Sequence, residues 1–149
     1  MRRKLLIAAF TALAFPCLGA PPWLGTYTWN NTGAESQYGN VSQTCELQLS
    51  LDPGGKVEIS CEVYWQPGMD AGFGAEISQT GIVSTKKANG TFILILPFTF
   101  EDSTQNKGTG KITITRSTAL LEVTTTQVNE PRAARQYGTY KLKKAHQDK

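Results

Sequence analysis

The sequence has one histidine, His146, three residues from the end of a polar tail. A nucleophilic triad needs an imidazole held in place by its surroundings, and a zinc site needs several histidine or cysteine ligands. The residues for either chemistry are missing, so no metal site and no cofactor are expected. Cysteine is scarce too, with three in 149 residues. No apolar run reaches the roughly twenty residues that a membrane-spanning helix needs. There is no linker, low-complexity stretch or internal repeat to divide the chain. An excess of one charge is also absent once the chain is read in parts. Of fifteen basic residues, Arg2, Arg3 and Lys4 stand at the start, which leaves twelve against twelve acidic ones. Such a balance, with an acidic body and a basic end, is a poor footing for electrostatic nucleic-acid binding.

What is present begins with a leader. Met1 to Lys4 is positively charged, Leu5 to Phe15 is apolar, and Leu18-Gly19-Ala20 is small. This order predicts a secretory signal peptide over residues 1–20, removed after Ala20, with Ala12-Leu13-Ala14 as the competing cleavage motif. The protein is then exported, periplasmic or secreted. Residues 21–149 form one domain with a basic, flexible C-terminal tail. Three acceptor triplets, at Asn30, Asn40 and Asn89, matter only in a eukaryotic secretory route.

The body reads as strands. Cys45 to Leu51 and Val57 to Val63 alternate apolar and polar residues, the mark of strands with one buried face. Asp52-Pro53-Gly54-Gly55 between them carries turn chemistry. A three-residue loop from Asp52 to Gly54 sets Leu49 opposite Val57, Leu47 opposite Ile59 and Cys45 opposite Cys61. Directly opposed residues are about 4.5–5.5 Å apart at Cβ, near what a disulfide needs, and an exported pair is expected to oxidise. A Cys45–Cys61 bridge would close a loop of about 15 residues, worth roughly 3 kcal/mol. Six further strands are predicted, at Trp23–Asn30, Ala75–Lys86, Thr91–Phe100, Lys111–Arg116, Ala119–Gln127 and Tyr137–Lys144. Pro97 marks its strand as bent or close to an edge. Asp102 to Gly110 and Asn129-Glu130-Pro131 read as turns. No window of a dozen residues has a helical period. The prediction is an all-β fold: an eight-stranded antiparallel meander closed into a small barrel, with a β-sandwich as the alternative.

Glycoside cleavage would need two carboxyl groups across a cleft. Glu46, Glu58 and Glu62 instead fall on the polar face of the first hairpin, away from Leu47, Leu49, Ile59 and Val63, and read as solvated charges. Asp70 and the Glu101-Asp102 pair read as loop residues without calcium-loop spacing. The segment Tyr64 to Gly74 reads as a long loop with three glycines and large apolar side chains. Tyr64, Trp65, Met69 and Phe73 are its candidate binding residues, either as anchors for a ligand or partner or as a plug over the barrel end.

Trp23-Leu24-Gly25-Thr26-Tyr27-Thr28-Trp29 opens the domain and Tyr137-Gly138-Thr139-Tyr140-Lys141-Leu142 closes it. This pattern resembles the small exported lipocalin-like (calycin) barrels of bacteria, in which a Gly-x-Tyr or Gly-x-Trp first strand pairs with the last. The resemblance implies an up-and-down barrel that binds a small apolar ligand or a protein. Lipocalins usually carry a helix before the last strand, for which this sequence has no pattern. Two functions follow as expectations: a non-enzymatic exported binding module acting through residues 64–74, or an inhibitor of an extracellular or periplasmic hydrolase such as lysozyme. An acidic body suits a basic target.

Overall fold

The computed structural model describes residues 21–36, 39–66 and 70–145. The predicted signal peptide, Met69 and His146 lie outside the described residues. Among the described residues nine strands are formed: β1 Gly25–Ser36, β2 Gly39–Leu51, β3 Val57–Gln66, β4 Ala71–Ile77, β5 Val83–Lys86, β6 Phe92–Asp102, β7 Lys107–Thr115, β8 Thr118–Gln127 and β9 Thr139–Lys144. The sheet runs β4-β3-β2-β1-β9-β8-β7-β6-β5, and β4 also pairs with β6. That last pairing closes eight antiparallel strands into a barrel and leaves β5 as an extra strand beside β6. One sheet closed on itself excludes the sandwich.

Closure is narrow at two places. β4 meets β6 only at Phe73↔Asp102 and Gly74↔Glu101, and β1 meets β9 only at Tyr27↔Lys144 and Thr28↔Lys143. Elsewhere the ladders are long, with ten paired positions between β2 and β3. The strand predicted over Ala75–Lys86 is broken. Its first part belongs to β4, a 3-10 turn at Gln79–Gly81 interrupts it, and it resumes as β5. Pro97 lies on β6 between the stretch paired with β5 and the stretch paired with β4, where a missing N–H costs no ladder bond.

Inward rows from all eight barrel strands fill the interior. Tyr27, Leu47, Ile59, Leu96, Ile112, Leu121 and Leu142 are each at most 1 % exposed, and Phe73 joins the same cluster from β4. β7 begins at Lys107, earlier than predicted, because its glycines face inward. A Cβ on Gly110 would collide with the Phe98 ring, and one on Gly108 with the Phe100 ring and the Thr124 carbonyl. Small positions on β7 thus receive the large rings of β6, as small barrels require.

The β2–β3 register differs from expectation. Cys45 faces Val63, Leu47 faces Cys61 and Leu49 faces Ile59. The loop does hold three residues, but they are Pro53 to Gly55. Asp52 and Lys56 close it, with Asp52 N–H bonded to the Lys56 carbonyl at 2.9 Å and Gly55 N–H to the Asp52 carbonyl at 3.0 Å. The Asp52 carboxylate accepts the Lys56 N–H at 2.8 Å, and Gly55 takes the left-handed conformation, φ +86°. Asp first, Pro second and Gly fourth are the favoured residues of such a turn. Starting the loop one residue later moves every partner by two, so the same side chains stay inside. Cys45 and Cys61 become diagonal neighbours, farther apart at Cβ than a directly opposed pair, and both are buried free thiols. The expected directly opposed bridge is therefore corrected to an unbonded pair. The same turn, with its fourth residue left-handed, recurs at Lys87–Thr91 through Gly90 and at Asp102–Asn106 through Gln105.

The turn predicted at Asn129-Glu130-Pro131 leads into a one-turn helix, α1 Pro131–Ala134. Proline suits its first position because the N–H there has no helical partner. A helix this short leaves no periodicity to read.

Two outcomes test this packing. Gly110→Ala should lower the unfolding free energy in urea by about 1–3 kcal/mol through overpacking. Cys45 and Cys61 are both buried from reagent, and the Cys61 thiol is also pushed up by its hydrogen bond to Cys45 and by burial, which suppresses its reactive thiolate. Alkylation without reductant, followed by mass spectrometry, should therefore label neither Cys45 nor Cys61 in the folded protein and both after denaturation; an unlabelled pair after denaturation would mean a bridge.

Candidate functional site

The expected 64–74 loop is mostly strand. Tyr64 and Trp65 belong to β3, which runs to Gln66, and Phe73 lies within β4, which starts at Ala71; of the residues between the two strands only Asp70 is described. Glycines at 72 and 74 suggested a loop. On β4 they alternate with Phe73 and Ala75, and they occupy the outer row while Phe73 and Ile77 point inward. A Cβ on Gly72 would sit 2.8 Å from the Cys61 carbonyl oxygen, whereas one on Gly74 would meet nothing nearer than 3.9 Å.

Of the four predicted residues the structure describes three, Tyr64, Trp65 and Phe73, and their side chains have different surroundings. Tyr64 is on the outer face, 43 % exposed, and its hydroxyl donates to the Glu62 carboxylate. That hydrogen bond is the main reason its phenol is raised above the ordinary range. Trp65 is half-buried opposite Gln43, and its backbone N–H reaches Asp70 Oδ1 at 3.4 Å. Phe73 is core, stacked on Phe100 at 4.4 Å and Phe98 at 5.4 Å between ring centroids. Its anchoring role is internal, and among the described members Tyr64 is the one facing solvent.

Around Tyr64 the outer rows of β3 and β4 and the end of β6 form a groove of about 540 Å³. Gly72 and Gly74 are its floor. Glu62 faces Gly72 and Ser60 faces Gly74 across one ladder, and Glu101 faces Gly74 across the other. Two successive outer positions without side chains, between taller neighbours, are what make the depression. Tyr64 and Asp70 stand at its rim, and Asp102 and Thr104 close one end.

Asp102 anchors that end. Its Oδ1 accepts from Thr104 N–H at 2.9 Å, Thr104 Oγ1 at 2.6 Å and Asn106 N–H at 2.9 Å. Its Oδ2 accepts from Tyr137 Oη at 2.8 Å and Asn106 Nδ2 at 3.2 Å. Asn106, fully buried, extends the network: its Oδ1 accepts the N–H groups of Asn129 at 2.7 Å and Glu130 at 2.9 Å, and its Nδ2 donates to the Glu130 carbonyl at 3.1 Å. Burial pushes the Asp102 carboxyl up, but the hydrogen bonds from Thr104, Tyr137 and Asn106 outweigh it and hold the group below its ordinary value. Burial, then the hydrogen bond to Asp102, raises the Tyr137 phenol. The sequence placed Asp102 in a loop; its spacing to Thr104 and Asn106 was the readable signal, since Asp commonly accepts from N–H groups two residues on.

The exposed positions of Glu46, Glu58 and Glu62 agree with solvated charges. Asp52, Glu58 and Glu76 converge closely enough for a cation, but the Lys56 ammonium already stands 3.9 Å from Glu76, and the Lys56 backbone N–H occupies Asp52 Oδ1. Among the described residues no helix is long and apolar enough to cross a membrane. Comparison with protein-family models, curated proteins and solved structures finds no match.

Acid should reveal the Asp102 network. A carboxyl lowered by folding contributes its full stabilisation above the ordinary aspartate range, about pH 3.9, and loses it as pH falls through the folded value. Asp102→Asn should cost about 1–3 kcal/mol at neutral pH, and urea unfolding should show that gap narrowing below about pH 4.

Proposed function

We propose that the protein is an exported, non-enzymatic binding module of the lipocalin-like kind that engages a protein partner through the groove over Gly72 and Gly74. The groove carries this reading: its floor is bare backbone, its rim presents the exposed Tyr64 ring, and it is held by the Asp102 network. Tyrosine beside accessible backbone is a frequent basis of protein recognition. The closed antiparallel barrel, with its first strand paired to its last, is compatible with a lipocalin-like reading. The packed interior favours an external partner over an apolar ligand inside the barrel. The outward placement of Glu46, Glu58 and Glu62 supports binding over catalysis.

The inhibitor reading keeps one observation in its favour. Between Gly39 and Ile77 the chain has six acidic residues and a single basic one, Lys56, so the wall bearing the groove is acidic and suits a basic hydrolase.

Gly74→Arg fills the groove at a position with free space and should leave the thermal midpoint nearly unchanged. A photo-crosslinking residue in place of Tyr64 should give a discrete adduct in the exported fraction of the host, and Gly74→Arg should abolish it; an adduct indifferent to that substitution would sink the groove. Immobilised lysozyme that fails to retain the unaltered chain would remove the inhibitor reading alone.

A further inference from the structure

The barrel's opposite end has an opening of different chemistry. There the inward rows of β6 and β7 end in Phe92, Leu94 and Ile114, and the segment before β1 brings Trp23 alongside, forming an open cleft of about 600 Å³. Ile114 is buried and Leu94 half-buried, but Phe92 is 58 % exposed. Such an area is costly to leave in water, and the volume is that of a small-molecule site.

Two cations flank this apolar floor. Lys86 Nζ stands 5.5 Å from the centre of the Phe92 ring. Arg116 lines the opening, and its Nη2 donates to Thr91 Oγ1 at 3.4 Å. Among the described residues neither forms an ion pair; the four pairs present all involve other lysines and Arg132. Arg116 also has an unusual backbone. It is the first residue of the two-residue turn between Thr115 and Thr118 and adopts φ +54°, a position that this class of turn gives to glycine. An arginine where glycine would be easier points to a use for its side chain.

We propose that this opening binds a single amphipathic anion, its apolar chain on Phe92, Leu94 and Trp23 and its carboxylate or similar head on the Arg116 guanidinium. A guanidinium holds a carboxylate through two parallel hydrogen bonds, and an unpaired one beside apolar surface selects a ligand with both parts. The site is separate from the groove over Gly72 and Gly74, which lies toward the other end of the barrel.

Calorimetric titration of the full chain with dodecanoate below its micelle concentration, and with dodecanol of equal length, tests the assignment. Dodecanoate should bind with one-to-one stoichiometry and dodecanol about tenfold or more weakly. Arg116→Gly fits the turn, so its melting temperature should match or exceed that of the parent while its dodecanoate affinity falls by about tenfold. Phe92→Ser should weaken both ligands. Failure of the parent to bind dodecanoate, equal binding of dodecanol, or dodecanoate affinity unchanged in Arg116→Gly would each overturn the proposal.

Discussion

Asp102 is a carboxylate that folding removes from water beside a seam only two residues wide. Burying a charge is unfavourable unless its oxygens are satisfied, and here five hydrogen bonds satisfy them. Those bonds tie together parts that the ladders leave apart. Thr104 and Asn106 shape the β6–β7 turn, Asn106 grips the approach to α1, and Tyr137, just after α1, reaches both Asp102 and the Gly72 carbonyl at 3.2 Å. The aromatic stack of Phe73, Phe98, Phe100 and Tyr137 lies directly inside. The closure of β4 on β6, and with it the shape of the outer groove, rests on this polar cluster.

Glycine acts in two opposite ways in the same wall. Inward on β7, Gly108 and Gly110 make room for rings from the neighbouring strand. Outward on β4, Gly72 and Gly74 leave room unfilled, and the space becomes a surface feature. In each case the residue keeps the strand's alternation with its side chain removed, which is why a pattern of apolar and polar residues cannot register it.

That distinction explains what could be read in advance. Strands with a full alternation, such as Cys45–Leu51 and Val57–Val63, were legible together with their buried face, because each step places a side chain in oil or in water. The glycine-bearing ends of β4 and β7 read as loops. The register across Pro53–Gly55 was legible only in part: parity fixed the face, but a loop beginning one residue later satisfies the same parity and separates Cys45 from Cys61. Tyr64, named from the sequence, stands exposed at the rim of the groove. Asp102, Asn106 and Tyr137 were not read as part of the site, since their meeting depends on the barrel closing between residues far apart in the chain.

The two narrow seams give the molecule a mechanical character. β1 to β4 and β6 to β9 are each a continuous four-stranded curved sheet with long ladders, and they touch edge to edge through two residue pairs at either join. Within each sheet every contact is between chain neighbours, so each half can assemble from hairpins, whereas the joins must await loop closure over much longer stretches. The backbone of the barrel is thus stitched along two thin lines, and what holds the two half-shells together is mainly the single core they share.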